Sequence, residues 1–541
     1  EPVDGESYNI SDLLTVRAIV ENENELPDSV HYSLNGEPVV QIPRLNTDWY
    51  TYMQNDLHHG FSESPAPTDN MILWTAQVTG FHHEFPTPVI VDGIVYYPSD
   101  HGNDTLYALD AATGELIWKY RVGATDDAVT VKNGYLYTAS DSLWCLDALT
   151  GERIWANGDA DYSGSTPAAV DNSVYCGRRD EYLDISYVYC FDAATGTEIW
   201  ADTLSGNTAS CLTVWNGMVF IPTCMGPLYA LEANTGSIIW ENTDSYDGYW
   251  DSSPVVVDSL IYIGGNDGKM RAIDAITGTT VWEAYIGPAY SITATPAYHD
   301  GRLFFADQDD TYNCLDASNG RTIWSVPGYQ HGSSGIADGM VFYGECFTNT
   351  ARVVALDCET GAEVWSYITY GGLLGIVSSP AITDGVVYIA ATDLNLYAFG
   401  TGLKYTYRDD LFADVGSNEL IVTSFDEGIP VAADTISFAV TETGINLEPS
   451  HRLGLCARPN PFHSSALITF ELSEPGFTSI EVYDLSGRII STLESSELMA
   501  GVHSVHWDGR SRNGEPVSAG LYFCRIQSGN ITETTGLCLL R

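Results

Sequence analysis

The stretch LYALDAATGELIW, residues 106–118, recurs along the chain, and its period decides the fold. Further copies end at Trp155 (LWCLDALTGERIW), Trp200 (VYCFDAATGTEIW), Trp240 (LYALEANTGSIIW), Trp282 (MRAIDAITGTTVW), Trp324 (YNCLDASNGRTIW) and Trp365 (VVALDCETGAEVW). A truncated copy, LYAFG, runs from Leu396 to Gly400. Successive Trp residues lie 37 to 45 positions apart, the length of a four-stranded propeller blade. Each copy is β-branched, aromatic and turn-rich, which excludes a helical repeat. Upstream of each copy is a second hairpin, as in TPVIVDGIVYY (87–97) and SPAITDGVVYI (379–389), where apolar runs flank a two-residue Asp-Gly turn. There are eight such hairpins and eight LYALD-like strands, but only seven turn-plus-Trp segments. The missing outer strand is expected in MILWTAQV around Trp74, so that the N-terminal segment closes the last blade and leaves no sheet edge exposed.

The motif has a physical logic. The acidic residue before the turn can accept turn N–H groups, Thr-Gly reverses the chain and tolerates positive φ, and the Trp can fill the wedge between neighbouring sheets. Trp74, Trp118, Trp155, Trp200, Trp240, Trp282, Trp324 and Trp365 are therefore read as structural. One column is always small: Ala108, Cys145, Cys190, Ala230, Ala272, Cys314, Ala355 and Ala398. Its three cysteines are read as small buried residues rather than as disulfide partners.

This pattern resembles the pyrroloquinoline-quinone-type propeller repeat of quinoprotein dehydrogenases and of non-catalytic relatives such as the propeller lipoprotein of the outer-membrane barrel-assembly machinery. The resemblance covers about residues 48–400, including a lead-in, DWYTYMQNDLHHGFSESPAPTDNMILW (48–74). It implies the fold and does not by itself imply bound quinone, because one fold hosts many functions.

With 72 acidic against 22 basic residues the net charge is −50, and the only lysines are Lys119, Lys132, Lys269 and Lys404. Such a field repels phosphate, so nucleic acid and anionic membrane surfaces are excluded as partners. No apolar run approaches about 18 residues, so membrane insertion is not expected. The acidity suits either high salt or a calcium-containing exterior. Calcium is the one cation considered: the candidates are Asp307, Asp309 and Asp310, then Asp126 with Asp127 and Asp409 with Asp410, although none has the spacing of a known calcium loop and a solvated surface is the preferred reading. The start at Glu1 without Met suggests a mature form from which a signal peptide has been removed. Eleven cysteines cannot all pair within one chain; Cys211 and Cys224, flanking the turn at Asn216-Gly217, are the pair that could approach.

Outside the ring, the sequence divides into residues 1–47, a set of N-terminal strands, and 403–456, a further strand segment. Leu13 to Leu45 and Leu403 to Ile445 are expected to combine into one sandwich split by the propeller (48–402), because closure through Trp74 brings the two ends to one blade; the competing reading is that the N-terminal strands complete a sheet in a neighbouring molecule. Residues 457–541 carry Pro459-Asn460-Pro461-Phe462, Tyr483-Asp484-Leu485-Ser486-Gly487-Arg488, Trp507-Asp508-Gly509 and Ala519-Gly520-Leu521-Tyr522. These resemble the immunoglobulin-like module of the type IX secretion sorting domain and of the flagellar hook-capping protein. That resemblance implies export through an outer membrane to the cell surface or the exterior. The whole chain is expected to be all-β, an eight-bladed β-propeller flanked by β-sandwich, immunoglobulin-like modules.

A quinoprotein enzyme of this resemblance would need a calcium site of carboxylate and amide oxygens, a catalytic Asp, an aromatic platform and commonly a disulfide between adjacent cysteines. No Cys-Cys dipeptide occurs, and the blades are minimal in length. His58-His59 and His82-His83 are adjacent pairs whose members point to opposite faces of a strand, so they chelate poorly. No Gly-x-Ser-x-Gly, His-Glu-x-x-His or phosphate loop is present. The sequence is read as a secreted, non-enzymatic scaffold without cofactor that meets protein partners, or copies of itself, through its flanking β modules, as in a filament or surface assembly. The alternative is a calcium-dependent pyrroloquinoline-quinone oxidoreductase.

Overall fold

All regular elements are strands, as the alternating β-branched and aromatic runs require. The computed structural model describes residues 7–9, 14–21, 29–34, 40–42, 44–78, 87–99, 104–123, 128–158, 165–180, 183–208, 210–245, 247–249, 252–287, 292–307, 311–328, 332–345, 351–369, 376, 378–411, 416–426, 429–441, 456–458, 465–472, 476–483, 489–512, 516–517, 520–528 and 531–539. They fall into two compact units, Glu1–Thr441 and Glu442–Arg541.

In the first unit eight antiparallel sheets follow one another. Blade 1 runs from its outer strand Leu116–Arg121 through Thr105–Asp110 and Ile94–Pro98 to its inner strand Val89–Val91. The inner strands of blades 2 to 8 are Thr130–Lys132, Ala168–Val170, Thr213–Trp215, Val255–Val257, Ala297–His299, Gly335–Ala337 and Ala381–Thr383. The last of these neighbours the first, so the blades close into a ring. The eight-bladed propeller expected from the repeat is what the chain forms. Blade 8 takes its outer strand, Ile72–Gln77, from the far end of the chain, with Trp74 opposite Ala398 and Thr75 opposite Tyr397.

The second and third strands of the blades are mostly buried, because each sheet packs both faces against neighbours; in blade 3, where they lengthen to Ser173–Asp180 and Ile185–Asp192, half of their residues are partly exposed. Ala108, Cys145, Ala230, Ala272, Cys314, Ala355 and Ala398 have no exposed surface, and Cys190 has 1%. A larger side chain there has nowhere to go. Burial pushes the thiols of Cys145 and Cys314 up to about 12, so they behave as small apolar groups.

Every outer strand carries one irregularity. Trp118 pairs with Ala108 but Leu116 pairs with Leu109, so Ile117 is an extra residue, a bulge. The same shift recurs beside Trp155, Trp200, Trp240, Trp282, Trp324, Trp365 and Trp74. This accounts for the half-exposed aliphatic residue that precedes seven of the ring Trp residues, Ile117, Ile154, Ile199, Ile239, Val281, Ile323 and Val364: it is looped out of the ladder while the indole turns toward the next sheet.

Strands before and after the ring pair with each other. Ser29–Leu34 pairs with Gly416–Asp426, Ser7–Asn9 runs parallel to Ile429–Thr441, and Leu14–Glu21 pairs along its length with Lys404–Leu411. In the second unit a three-stranded sheet (Cys456–Arg458, Ala466–Leu472, Gly501–Trp507) and a four-stranded one (Ile489–Leu498, Gly476–Tyr483, Gly520–Ser528, Ile531–Leu539) enclose a core of Ile468, Phe470, Ile480, Val482, Trp507 and Cys524. Trp507 donates its indole N–H to the Arg510 carbonyl and meets Tyr522 edge-on, with ring centroids 5.0 Å apart.

Candidate functional site: the blade seam and the axial segment

The repeated Trp is a joint between blades. Trp74 donates its Nε1 hydrogen to the Ala111 carbonyl of blade 1 at 2.9 Å, and Trp118, Trp155, Trp200, Trp240 and Trp282 do the same to Ala148, Ala193, Ala233, Ala275 and Ala317. Trp324 bonds the Cys358 carbonyl at 3.0 Å. In each case the acceptor is the residue that follows the acidic position in the next copy. The Gly of that next motif lies flat under the ring: a Cβ on Gly114, Gly151, Gly196, Gly236, Gly278, Gly320 or Gly361 would stand 2.6–2.7 Å from the preceding blade's indole. The sequence reading assigned these glycines to turn geometry alone; close approach is the second reason for them.

The acidic residue braces the same turn. Asp110 Oδ1 accepts the N–H and the hydroxyl of Thr113 at 2.9 and 2.8 Å, and Asp147, Asp192, Asp274 and Asp357 hold Thr150, Thr195, Thr277 and Thr360 alike. These bonds pull the carboxyls of Asp192, Asp274 and Asp357 below their ordinary range.

A second aromatic column completes the seam. Tyr388, Tyr96, Tyr137, Tyr175, Phe220, Tyr262, Phe304 and Phe342 each lie against a ring Trp, with centroids 5.7–6.1 Å apart. Tyr388 bonds the same Ala111 carbonyl that Trp74 uses. The signal was present in the sequence, as an aromatic in the strand after each Asp-Gly or Asn-Gly turn. Trp365 differs: its acceptor is the Pro67 carbonyl, because blade 8 has no turn of its own and the lead-in stands in for it.

That lead-in reaches the axis of the ring. Inner strands expose an edge to the centre, and in five blades the N–H of the middle residue meets the lead-in there. Ile90, Val131, Val256, Tyr298 and Ile336 donate to the carbonyls of Trp49, Tyr50, Leu57, His59 and Gly60 at 2.7–3.0 Å. Phe61–Ser62 continues as a short parallel strand on Gly335–Ala337. On blade 8, Arg44 and Thr47 bind the buried Asp384 carboxylate at 2.8 and 3.2 Å, and Ser64 accepts the Gly385 N–H at 2.8 Å. Around the same axis a chain of hydroxyls links the blades: Cys211 N–H donates to Ser253, Ser253 to Thr295, Thr295 to Ser333 and Ser333 to Ser379. Tyr52 joins it at Ser333, 2.7 Å away.

His58 and His59 belong to this segment, and both act structurally. His58 is enclosed, with Nδ1 3.0 Å from the Thr213 hydroxyl, and its burial lowers it to about 4. His59 meets the Val256 carbonyl at 2.7 Å and is likewise lowered by burial. The pair does not converge.

The carboxylate candidates do not assemble either. Asp307 is 3% exposed and committed to its own loop, accepting from Thr311 N–H and Asn313 Nδ2, both at 3.1 Å. Asp309, Asp310, Asp126, Asp127, His82 and His83 lie outside the described residues. Asp409 and Asp410 fall in the strand paired with Leu14–Glu21. Among the described residues no group of three or more His, Cys, Asp or Glu could hold a metal ion. Cys211 and Cys224 are both buried, and no disulfide joins them.

Comparison with known proteins adds family and fold. The family described as outer membrane protein assembly factor BamB matches residues 65–183, 184–291 and 266–402, and the FlgD Ig-like domain family matches residues 460–530. Basal-body rod modification protein FlgD of Salmonella typhimurium and that of Salmonella typhi are each 39% identical over 61 residues, 11% of this chain and 26% of theirs. The chain thus spans about a quarter of the length of these curated relatives. Of solved structures, a quinohemoprotein alcohol dehydrogenase from Comamonas testosteroni matches with a TM-score of 0.55 and 15% identity, over 68% of this chain and 82% of its own. A europium-containing methanol dehydrogenase gives 0.56 and 14%, over 65% and 98%. At these identities the likeness is one of fold.

A quinone held with calcium asks for converging carboxylate and amide oxygens in a roomy pocket. The interior space of this ring is its centre, which is lined by hydroxyls and by the paired backbone of residues 49–62. Of the carboxylates at the segment, Asp56 is paired with Lys132 and Asp384 is taken by Arg44 and Thr47. The described residues do not fit such a cofactor.

Proposed function

The chain belongs to the family of outer membrane protein assembly factor BamB, which it matches across residues 65–402, and from that membership we propose that it is a non-catalytic propeller scaffold that works by binding proteins in the cell envelope or outside it. One observation carries this reading: the ring's centre is taken up by its own lead-in, bonded to inner strands at Ile90, Val131, Val256, Tyr298 and Ile336, so surface is what the ring has to offer. The match of residues 460–530 to the FlgD Ig-like family supplies a second protein-binding type of module. In this reading residues 48–402 are the ring, 1–47 and 403–456 form one split module, and 457–541 is the immunoglobulin-like domain through which the chain is exported and displayed. Its partners are proteins or further copies of the chain, assembled into a surface layer or filament. The fold likeness to quinohemoprotein alcohol dehydrogenase supports the other reading, a quinone-dependent oxidoreductase.

Sedimentation and electron microscopy of the full chain, with and without residues 1–47, test the scaffold reading. Assembly in calcium or salt that is lost with residues 1–47 supports it. A protein that stays monomeric throughout and reduces an artificial dye with alcohol or glucose after reconstitution with quinone and calcium contradicts it.

A further inference from the structure

A ring of blades encloses a central channel, and an inner strand is the free edge of its blade. In the five blades named above, the middle N–H of the inner strand meets a carbonyl of the lead-in at 2.7–3.0 Å. The equivalent residues of blades 3 and 4, Ala169 and Val214, show no such bond among the described residues. Side-chain contacts of the lead-in reach one blade further, since His58 Nδ1 also meets the Thr213 hydroxyl of blade 4 at 3.0 Å. Thr51 and Thr130 bond each other at 2.7 Å, and Thr295 and Ser333 are engaged by Tyr52. On blades 3 and 4, Ser165, Thr166, Thr208 and Ser210 are buried hydroxyls with no partner among the described residues, as are Thr138 on blade 2 and Thr369 on blade 7. Buried backbone N–H groups are normally satisfied, so the contrast between the inner-strand amides of one ring shows what the lead-in does where it is present. It also fills space: Trp49 and Met53 are fully buried, and a Cβ on Gly60 would stand 2.5 Å from Met53 Cε.

We propose that residues 47–64 are a built-in axial ligand. This stretch of the chain's own backbone occupies the channel in place of a small molecule, satisfies the axis-facing edges of blades 1, 2, 5, 6 and 7, and closes the axis to quinone and calcium. The inference rests on the same bonds that carry the scaffold reading, but the two fail separately, since a ring with or without this segment in its centre could bind a protein on its rim. It concerns this chain's own residues: the segment is anchored at one end by Arg44 and Thr47 on Asp384 and at the other by Ser64 on Gly385, both on blade 8, so it leaves and returns to one blade after bonding the inner-strand backbone of blades 1, 2, 5, 6 and 7 and meeting blade 4 through His58.

Residue-resolved hydrogen exchange of the full chain, alone and with pyrroloquinoline quinone and calcium, tests it. The expected result is that the amides of Ile90, Val131, Val256, Tyr298 and Ile336 exchange at least about a hundredfold more slowly than those of Ala169 and Val214, as hydrogen-bonded amides in a stable unit do. Quinone with calcium should leave that pattern unchanged. Equal, fast exchange at all seven amides would overturn the proposal, as would stoichiometric quinone binding that speeds exchange at the five.

Discussion

Trp240 and Gly278 are one contact made by two blades, and their energies should be coupled. The indole lies on the glycine and donates to the neighbouring Ala275 carbonyl. Trp240→Ala should cost about 3–5 kcal/mol, as for emptying a large aromatic site. Gly278→Ala adds a Cβ within 2.6 Å of that ring and places it at φ +71°, so it should cost about 2 kcal/mol or more. Once Trp240 is gone, only the backbone strain remains, and the second substitution should fall to about 1 kcal/mol. Denaturant unfolding of the two single variants and the double variant measures this; strict additivity would mean that the ring does not rest on the glycine. His58 is the residue where pH should be felt. Its buried ring titrates near 4 instead of 6.5, so the unfolded chain binds the proton first as pH falls. The stability it protects is complete above pH 6.5 and is lost as pH drops toward 4, at about 1.4 kcal/mol per unit for one proton. His58→Gln should remove one proton's worth of that slope. A slope identical to the parent's in a pH series of unfolding curves would place His58 in solvent.

At the scale of elements, the repeat was readable because a four-stranded blade writes its turns and its Trp into every copy. The clasp was readable from a miscount: eight hairpins and seven Trp segments after them leave one strand to be found, and MILWTAQV had the right pattern. The bulge was not readable, since an extra residue such as Ile117 looks in sequence like one more strand position. Nor was the axial path of residues 49–62, which is held by backbone carbonyls that any side chain can carry. Asp307 clusters in sequence with Asp309 and Asp310, a pattern that reads as a solvated surface with calcium as the lesser choice, whereas the structure buries it and gives its oxygens to Thr311 and Asn313. The clasp strand can be tested by deletion. Removing residues 1–77 takes away both the partner of Asn395–Phe399 and the carbonyl that Trp365 uses, leaving blade 8 with an open edge. The truncated ring should aggregate or lose its cooperative transition. Melting at the same temperature and with the same sharpness as the full chain would show that the N-terminal segment is dispensable for closure.

For the whole molecule, charge and closure act together. A net charge of −50 holds copies apart at low ionic strength, and the ring is closed, its last blade completed by Ile72–Gln77. Association should therefore rise with salt or calcium and involve the strands outside the ring. Light scattering across a salt series would show this as growth in mass, and its absence in every condition would remove the case for an assembly. The central claim is that this propeller works by its surface and leaves its axis to its own chain. It is tested most directly by titrating the intact protein with pyrroloquinoline quinone in the presence of calcium and following absorbance and alcohol-dependent dye reduction in the same sample. The account predicts no saturable quinone binding and no dye reduction above the protein-free control. One quinone bound per chain, with turnover of alcohol, would contradict it.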